Sequence, residues 1–582
     1  MKKIVKNSLK KSLYITKKLA NSNKYTKKIA QRTKHLVIQA IGTDQPREVY
    51  NLASFYPTVS DYFKQTKDLS NNDGPLISIL MPTYNTPEKY LRECIESIIV
   101  QSYPNWELCI ADDQSSITRV IEIIKEYQAE DNRIKLIERK KNGHISEATN
   151  SALELAKGEF IGLMDHDDVL WPNALYEVVQ VIRENKGVDF IYSDEDKIDS
   201  TSMQHSYPFL KPDFSPEFLE SCNYITHFSC IRTAVIKAVG GLRKGYEGAQ
   251  DWDLFMRVSE KTNRIVHIPK LLYSWRIHEA STASSTDAKP YVYEAQKRLL
   301  IDHIERIGMK GDVEVGIIPQ HRTIKYVIGE NDLLSVIVLY ENNKDTQRLL
   351  GSLVNNSPGA PFEVVYLHSK AIIDEVRDEF YKIATNVSQN FISISKGEEY
   401  IAAIENSHGN YLFFARDNIE VISDNWAKTI MGDSQLSKVG LVGPVLLDTT
   451  KRVILSAGIG LEYGPNGYAD MLEGMPFDDP HYSRGLFAKS RRNVSAVNDC
   501  AYAIKKETLN NLVDKQTIPR NSIELSILLM AQGYRHIYTP YVQVVAHDSL
   551  PKTKLVNIKS SGEDRYLNLN FNHENQRMEV RA

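Results

Sequence analysis

From Leu76 onward, short apolar runs alternate with amphipathic stretches. Leu76–Met81 is apolar and bounded by proline, which reads as a strand, and Pro87–Gln101 carries apolar residues at helical spacing. Trp106–Ala111 predicts a second strand ending at Asp112-Asp113, Ile117–Glu130 a helix, Ile134–Glu138 a strand and Ser146–Ala156 a helix. Gly158–Met164 then predicts a strand that runs into Asp165-His166-Asp167-Asp168. Such alternation predicts an α/β fold, a mostly parallel sheet with helices on both faces. Ligands of these sheets bind beyond the carboxyl ends of the strands. The polar clusters Thr83-Tyr84-Asn85, Asp112-Asp113 and Asp165–Asp168 all fall there.

The pattern then repeats. Leu334-Ser335-Val336-Ile337-Val338 parallels Ile77-Ser78-Ile79-Leu80-Met81, and Gly409–Phe414 parallels Gly158–Leu163. The segment ending His547-Asp548 parallels the one ending His278-Glu279. The expected organisation is a basic helical arm and linker (1–75), a first module (76–285), a helix and connector (286–333), a diverged second module (334–550) and a polar tail (551–582). Within the connector a helix is expected over Ala288–Met309.

Composition fits this division. A chain of 582 residues, 42% hydrophobic and 25% charged, supports about two to four cores. No apolar run reaches the roughly 18 residues that cross a bilayer. The start, MKKIVKNSLKKSLYITKKLA, has no unbroken apolar segment and no small-residue cleavage site, so no leader is expected. Cys94, Cys109, Cys222, Cys230 and Cys500 lack metal-ligand spacing and predict reduced, buried thiols in a cytoplasmic protein.

Charge changes the picture at one end. Residues 1–43 hold twelve Lys/Arg and no acid, so the net −3 divides into +12 on the arm and −15 on the rest. Val5, Leu9, Leu13 and Leu19 recur at roughly helical spacing, with most lysines on the other side. The arm suits a helix lying on anionic lipid at the inner face of the cell membrane, and a solvated basic helix fits the same pattern. No base-reading or stacking module occurs, so nucleic acid is not an expected partner.

The chemistry lies in the acids. Carboxylates crowded at one strand end repel one another unless a cation sits among them, and oxygen donors without Cys spacing favour Mg2+ or Mn2+. Solvated acids or a helix cap explain the same cluster. Asp112 can accept the imide N–H of a pyrimidine, or shape a turn. Asp194-Glu195-Asp196 follows the strand Phe190-Ile191-Tyr192 and reads as a third acidic strand end or a solvated loop. Asp251 opens a helix, where negative charge is favoured, and can act as a general base or as a cap.

In order and spacing, SILMPTYN (78–85), LCIADDQSS (108–116), NGHISEATNSALELAKGEFIGLMDHDDVL (142–170), YSDEDKID (192–199), GAQDWDLFMRV (248–258) and HIPKLLYSWRIHEAST (267–282) resemble inverting family 2 glycosyltransferases of GT-A-type fold. Two such modules in tandem are similar to rhamnosyl- and hexosyltransferases that build bacterial surface polysaccharides. The resemblance implies that Pro82, Thr83, Tyr84, Asn85, Asp112, Asp113, Asp165 and Asp194 lie along a nucleotide-sugar, dTDP-rhamnose or a UDP-hexose. It implies that Asp165, Asp167, Asp168 and His278 hold Mg2+ or Mn2+, and that Asp251 deprotonates a lipid-linked or polymeric glycan acceptor. The family more often has Glu where Gln250 stands.

In the second copy the same alignment sets Arg416, Asp417, Asn418 and Ile419 against Asp165–Asp168, and Ser522 against Asp251. That copy is expected to be silent and to serve acceptor binding, packing or homo-oligomer formation. A sugar nucleotidyltransferase is the rival enzyme, but the segment after the first strand, Met81–Pro87, is not a glycine-rich basic loop. A non-catalytic carbohydrate-binding scaffold is the other rival.

Overall fold

A computed structural model describes residues 74–278, 290–357, 359–370, 372–461, 467–480, 482–513, 518–550, 564–568 and 570. The basic arm, Glu279 and most of the polar tail lie outside these residues. In chain order the first half forms β1 (Ile77–Thr83), α1 (Glu88–Ile99), β2 (Trp106–Asp112), α2 (Thr118–Glu130), β3 (Ile134–Glu138), α3 (His144–Leu155), β4 (Phe160–Leu163), β5 (Val169–Leu170), α4 (Ala174–Glu184), β6 (Phe190–Ile198), β7 (His205–Phe209), α5 (Pro216–Ser221), β8 (Ser229–Arg232), α6 (Thr233–Ala238), α7 (Gln250–Ser259) and β9 (Ile265–Arg276).

The sheet order is β3-β2-β1-β4-β8-β6-β9-β5, with β7 paired to β6. β3, β2, β1 and β4 run parallel, as do β6 and β9, while β8 runs antiparallel between β4 and β6. Every residue of β1 and β2 is buried, as expected of strands covered on both faces. Ile77, Ile79 and Met81 join the apolar stripes of α1 (Leu91, Ile95, Ile98), α2 (Val120, Ile123, Ile124) and α4 (Leu175, Val178, Val179) in one core. The alternate residues Ser78 and Leu80 face the side covered by α3.

The second unit repeats this scaffold, with strand order Gln389–Ser393, Phe362–His368, Leu334–Leu339, Tyr411–Arg416, Ala501–Lys505, Val439–Leu447, Arg535–Ala546 and Ile419–Val421. The correspondence extends to single hydrogen bonds. Ser78 Oγ donates to Glu107 Oε1 (2.6 Å) and accepts from Gly158 N–H (2.8 Å); Ser335 Oγ donates to Glu363 Oε1 (2.7 Å) and accepts from Gly409 N–H (2.9 Å). Both glycines are obligatory for this approach. A Cβ on Gly158 would meet Leu76 O at 2.6 Å, and one on Gly409 would meet Leu333 O at 2.5 Å.

Register fixes the equivalences. Ile77 pairs with Phe160 and Leu334 with Tyr411, so Arg416 takes the place of Asp165 and Asn418 that of Asp167. At the far end Leu170 pairs with Tyr273 and Val421 with Val544. His547 therefore corresponds to Arg276, two residues away from the parallel with His278 that the sequence suggests.

Three further features differ from the sequence reading. β6 continues through Asp194-Glu195-Asp196, so these acids are buried strand residues and not a strand-end loop. The stretch after the helix Pro290–Arg306 is a hairpin of Gly311–Val315 with Arg322–Tyr326. Finally, the chain divides into two compact units, and Pro212–Tyr224 belongs with the second although residues on both sides belong with the first. This excursion carries α5, whose Glu217 carboxylate pairs with Arg535 (2.8 Å) and whose Glu220 pairs with Arg491; just before it, Ser215 Oγ bonds Asn493 (2.8 Å). All five cysteines are buried thiols, and no helix among the described residues is long and apolar enough to cross a membrane.

Candidate functional site

Two recesses adjoin at the carboxyl ends of β1, β2 and β4, sharing Pro82 and Ile145 as walls. The first, of about 280 Å³, is lined by Thr83, Tyr84, Asp113, Asn142, His144 and His166 as well. The second, smaller one takes in Asp165, Thr226, His227, Gln250 and Asp251, with Leu163, Leu242 and Phe255 as its apolar walls.

Asp251 lies in the first turn of α7 and its Oδ1 accepts Trp252 N–H at 2.8 Å. The helix-capping position is Ala249, so Asp251 is not the cap. Gln250 Oε1 accepts the N–H of Gly248, whose φ of +83° favours glycine, and a Cβ there would meet Val292 at 2.7 Å.

Asp165–Asp168 separate by role. Asp165 faces the second recess, and His227 Nε2 lies 3.7 Å from its Oδ2. Dehydration and then the charge of Asp167 push its carboxyl up to about 6. Asp167 Oδ2 lies 2.7 Å from His278 Nε2; burial raises that carboxyl, but His166 and His278 outweigh it and hold it below the usual range. Asp168 points inward, fully buried, accepting from Tyr273 OH (2.5 Å) and Arg276 N–H (2.7 Å). Burial, then the charges of Asp167 and Asp165, raise it well above the usual range.

His227 is the residue that sequence motifs did not flag. Its ring stacks on Tyr273 with centroids 4.5 Å apart, and burial lowers its pKa, keeping the ring neutral. Its Nδ1 has no hydrogen-bond partner among the described residues. Asp165, Asp168 and His227 offer ligand atoms within 4.8 Å of one another. Two raised carboxyls beside a neutral imidazole form a donor set that suits a divalent cation.

A buried ion pair sets the wall that carries His227. Lys211 Nζ, fully buried, donates to Glu195 Oε2 (3.0 Å), Ile225 O (2.6 Å) and His227 O (2.6 Å). The same Glu195 oxygen accepts from Thr226 Oγ1 (2.6 Å) and His227 N–H (3.0 Å). Burial disfavours the charge on both partners, lowering Lys211; for Glu195 it is outweighed by Lys211 and His227 together with the hydrogen bonds from Thr226 Oγ1 and His227 N–H, which hold the carboxyl below its usual range.

Not every expected residue reaches the recesses. Asp112 is buried and committed to the turn, accepting from Thr83 Oγ1 (3.2 Å), Ser115 N–H (2.9 Å) and Ser115 Oγ (2.6 Å). Of the pair, Asp113 borders the first recess, anchored by Arg139 Nε at 2.8 Å. Asn85 Oδ1 accepts from Ser116 N–H and Ile117 N–H (2.9 and 3.1 Å), which ties down the start of α2. Asp194 is fully buried; its Oδ1 accepts Lys211 N–H and lies 2.8 Å from His267 Nε2. Its carboxylate is committed to that network and does not line either recess.

The description Glycosyl transferase family 2 matches residues 78–240. An uncharacterized glycosyltransferase of Methanocaldococcus jannaschii is 30% identical over 38% of this chain and 77% of its own. The O-antigen biosynthesis protein RfbC of Myxococcus xanthus is 29% identical over 82% of this chain, a span that reaches both modules, and 37% of its own. The chain spans about half the length, or less, of the first curated relatives it matches. A crystal structure of S. aureus TarS 1-349 in complex with UDP-GlcNAc is 24% identical over 39% of this chain and 66% of that one, with a TM-score of 0.34.

Proposed function

The chain belongs to glycosyl transferase family 2, and we propose that its first module moves a sugar from a nucleotide-sugar donor to a glycan acceptor with inversion, in the synthesis of a surface polysaccharide. One observation carries this reading. A carboxylate base, Asp251, and the Asp165–His227 pair line one recess, which adjoins a second bordered by Thr83 and Asp113. The donor is a pyrimidine nucleotide-sugar, dTDP-rhamnose or a UDP-hexose, with its base toward Asp113. Its sugar lies in the smaller recess between Asp165 and Asp251.

Asp251 accepts the proton of an acceptor hydroxyl. That oxygen bonds to the anomeric carbon from the face opposite the diphosphate as the carbon–diphosphate bond breaks, so the configuration inverts and the nucleoside diphosphate leaves. Asp165, His227 and Asp168 are the residues to hold Mg2+ or Mn2+, with Asp167 and His278 beside them. When bound, the cation supplies positive charge to the departing diphosphate. Lys211 and Glu195 keep His227 at its place. The second module is read as catalytically silent, and residues 1–43 as an anchor at the inner face of the cell membrane.

The test is release of free nucleoside diphosphate from dTDP-rhamnose or a UDP-hexose on adding a glycan acceptor. Asp251→Asn is expected to bind donor normally in a thermal-shift assay and to lose about 10²–10⁴-fold in release. EDTA is expected to stop the wild type. Near wild-type release by Asp251→Asn would remove the base from the scheme, and full activity in chelator would remove the metal.

A further inference from the structure

The second unit holds a recess of about 340 Å³. Its walls are the hairpin that follows the helix Pro290–Arg306, the helix Trp426–Ser434, and the side chains of Arg491 and Tyr541. It is not the counterpart of the donor cleft, which would lie at the ends of Leu334–Leu339 and Tyr411–Arg416; no residue of those strands lines it.

The floor is built from buried polar groups. Arg491 has 2% of its side chain exposed; Nη1 donates to Asp433 Oδ1 at 2.6 Å and Nη2 pairs with Glu220. The Nε–H has no partner among the described residues. Arg491 thus stands under the recess as a charged group held by two carboxylates. The volume lies within the range of small-ligand sites.

Charge and donor pattern narrow the ligand. Glu314, Asp424 and Asp433 stand against Lys325, Lys428 and Arg491, so the lining is neutral. A diphosphate calls for a positive excess and a divalent cation for a negative one. Interleaved donors and acceptors, with Tyr326 and Tyr541 in the walls, suit a molecule dense in hydroxyls that both give and take hydrogen bonds. We propose that this recess is a second carbohydrate site, which binds a neutral oligosaccharide segment independently of the donor cleft.

Saturation-transfer NMR on the full chain tests this, with maltotetraose and chitotetraose as neutral probes and a tetragalacturonate as the acidic one, each at about 10 mM, above a millimolar Kd. A neutral probe is expected to bind and the acidic one not. Lys428→Ala and Lys325→Ala, at the mouth and wall, are expected to weaken binding about tenfold each. Asp165→Asn, in the donor cleft, is expected to leave it unchanged, which keeps this result separate from the fate of the transfer reaction. Silence from both neutral probes, a preference for the acidic probe, or binding that survives both recess variants would overturn the proposal.

Discussion

In the first module Asp165 faces His227 and Asp251 across a recess; in the second, register puts Arg416 and Cys500 at the places of Asp165 and His227, and Ser522 opens the helix that corresponds to α7. Arg416 Nη2 is bound to Asp499 Oδ2 at 2.9 Å, and the other oxygen of Asp499 accepts Ser522 N–H at 3.0 Å. Ser522 Oγ donates to Val497 O at 2.8 Å. A fixed guanidinium with its own counter-ion thus occupies the place where the first module gathers acids. The polar wall behind the site has gone too. Asp194-Glu195-Asp196 correspond to Val445-Leu446-Leu447, all buried. A buried ion pair costs desolvation that apolar residues avoid. The first module keeps that cost where it sets His227, and the copy without His227 has replaced it with apolar packing.

The largest expected contrast is at the exchanged positions themselves. Asp165→Asn should cut nucleoside diphosphate release by about 10²-fold or more, whereas Arg416→Met should leave it within about twofold. Equal losses would mean that the second module takes part in the chemistry. A smaller contrast concerns the wall. Lys211→Met leaves Glu195 buried without its partner and should cost about 3–5 kcal/mol in denaturant unfolding. Adding Glu195→Leu, the residue type of the second module, should restore much of that stability without restoring transfer. A fully active double variant would show that the pair is structural only. The smallest contrast is one that should vanish: Gly158→Ala and Gly409→Ala should each destabilise the chain by a similar amount, about 1–3 kcal/mol. Unequal costs would show that the two scaffolds have diverged in packing as well as in chemistry.

The regular part of this fold was legible because buried parallel strands read as unbroken apolar runs. Ile134–Glu138 matched residue for residue, and the other early elements matched within two residues. The acids at the strand ends were legible because each closes such a run. What lay beyond reach entered by other routes. His227 stands before β8, an antiparallel strand that returns through the sheet, so no acidic run announces it. Asp194–Asp196 look like a loop because three acids in a row are normally solvated; only Lys211, His267 and His205, distant in sequence, make them strand residues. Asp112 and Asn85 have the right type and place, yet their oxygens are committed to the backbone of the loop that follows β2. The shift that aligns His547 with Arg276 shows only in strand register.

The excursion at Pro212–Tyr224 also bears on time. Glu217 and Arg535 are 318 residues apart. At about 5–20 residues per second, a ribosome that has made Glu217 needs roughly 15–60 s more before it delivers Arg535. For that interval the segment just ahead of His227 has emerged without its partners. An element encoded among residues of the first unit thus waits for a strand made near the end, and a chain released between the modules leaves Glu217 and Glu220 without Arg535 and Arg491.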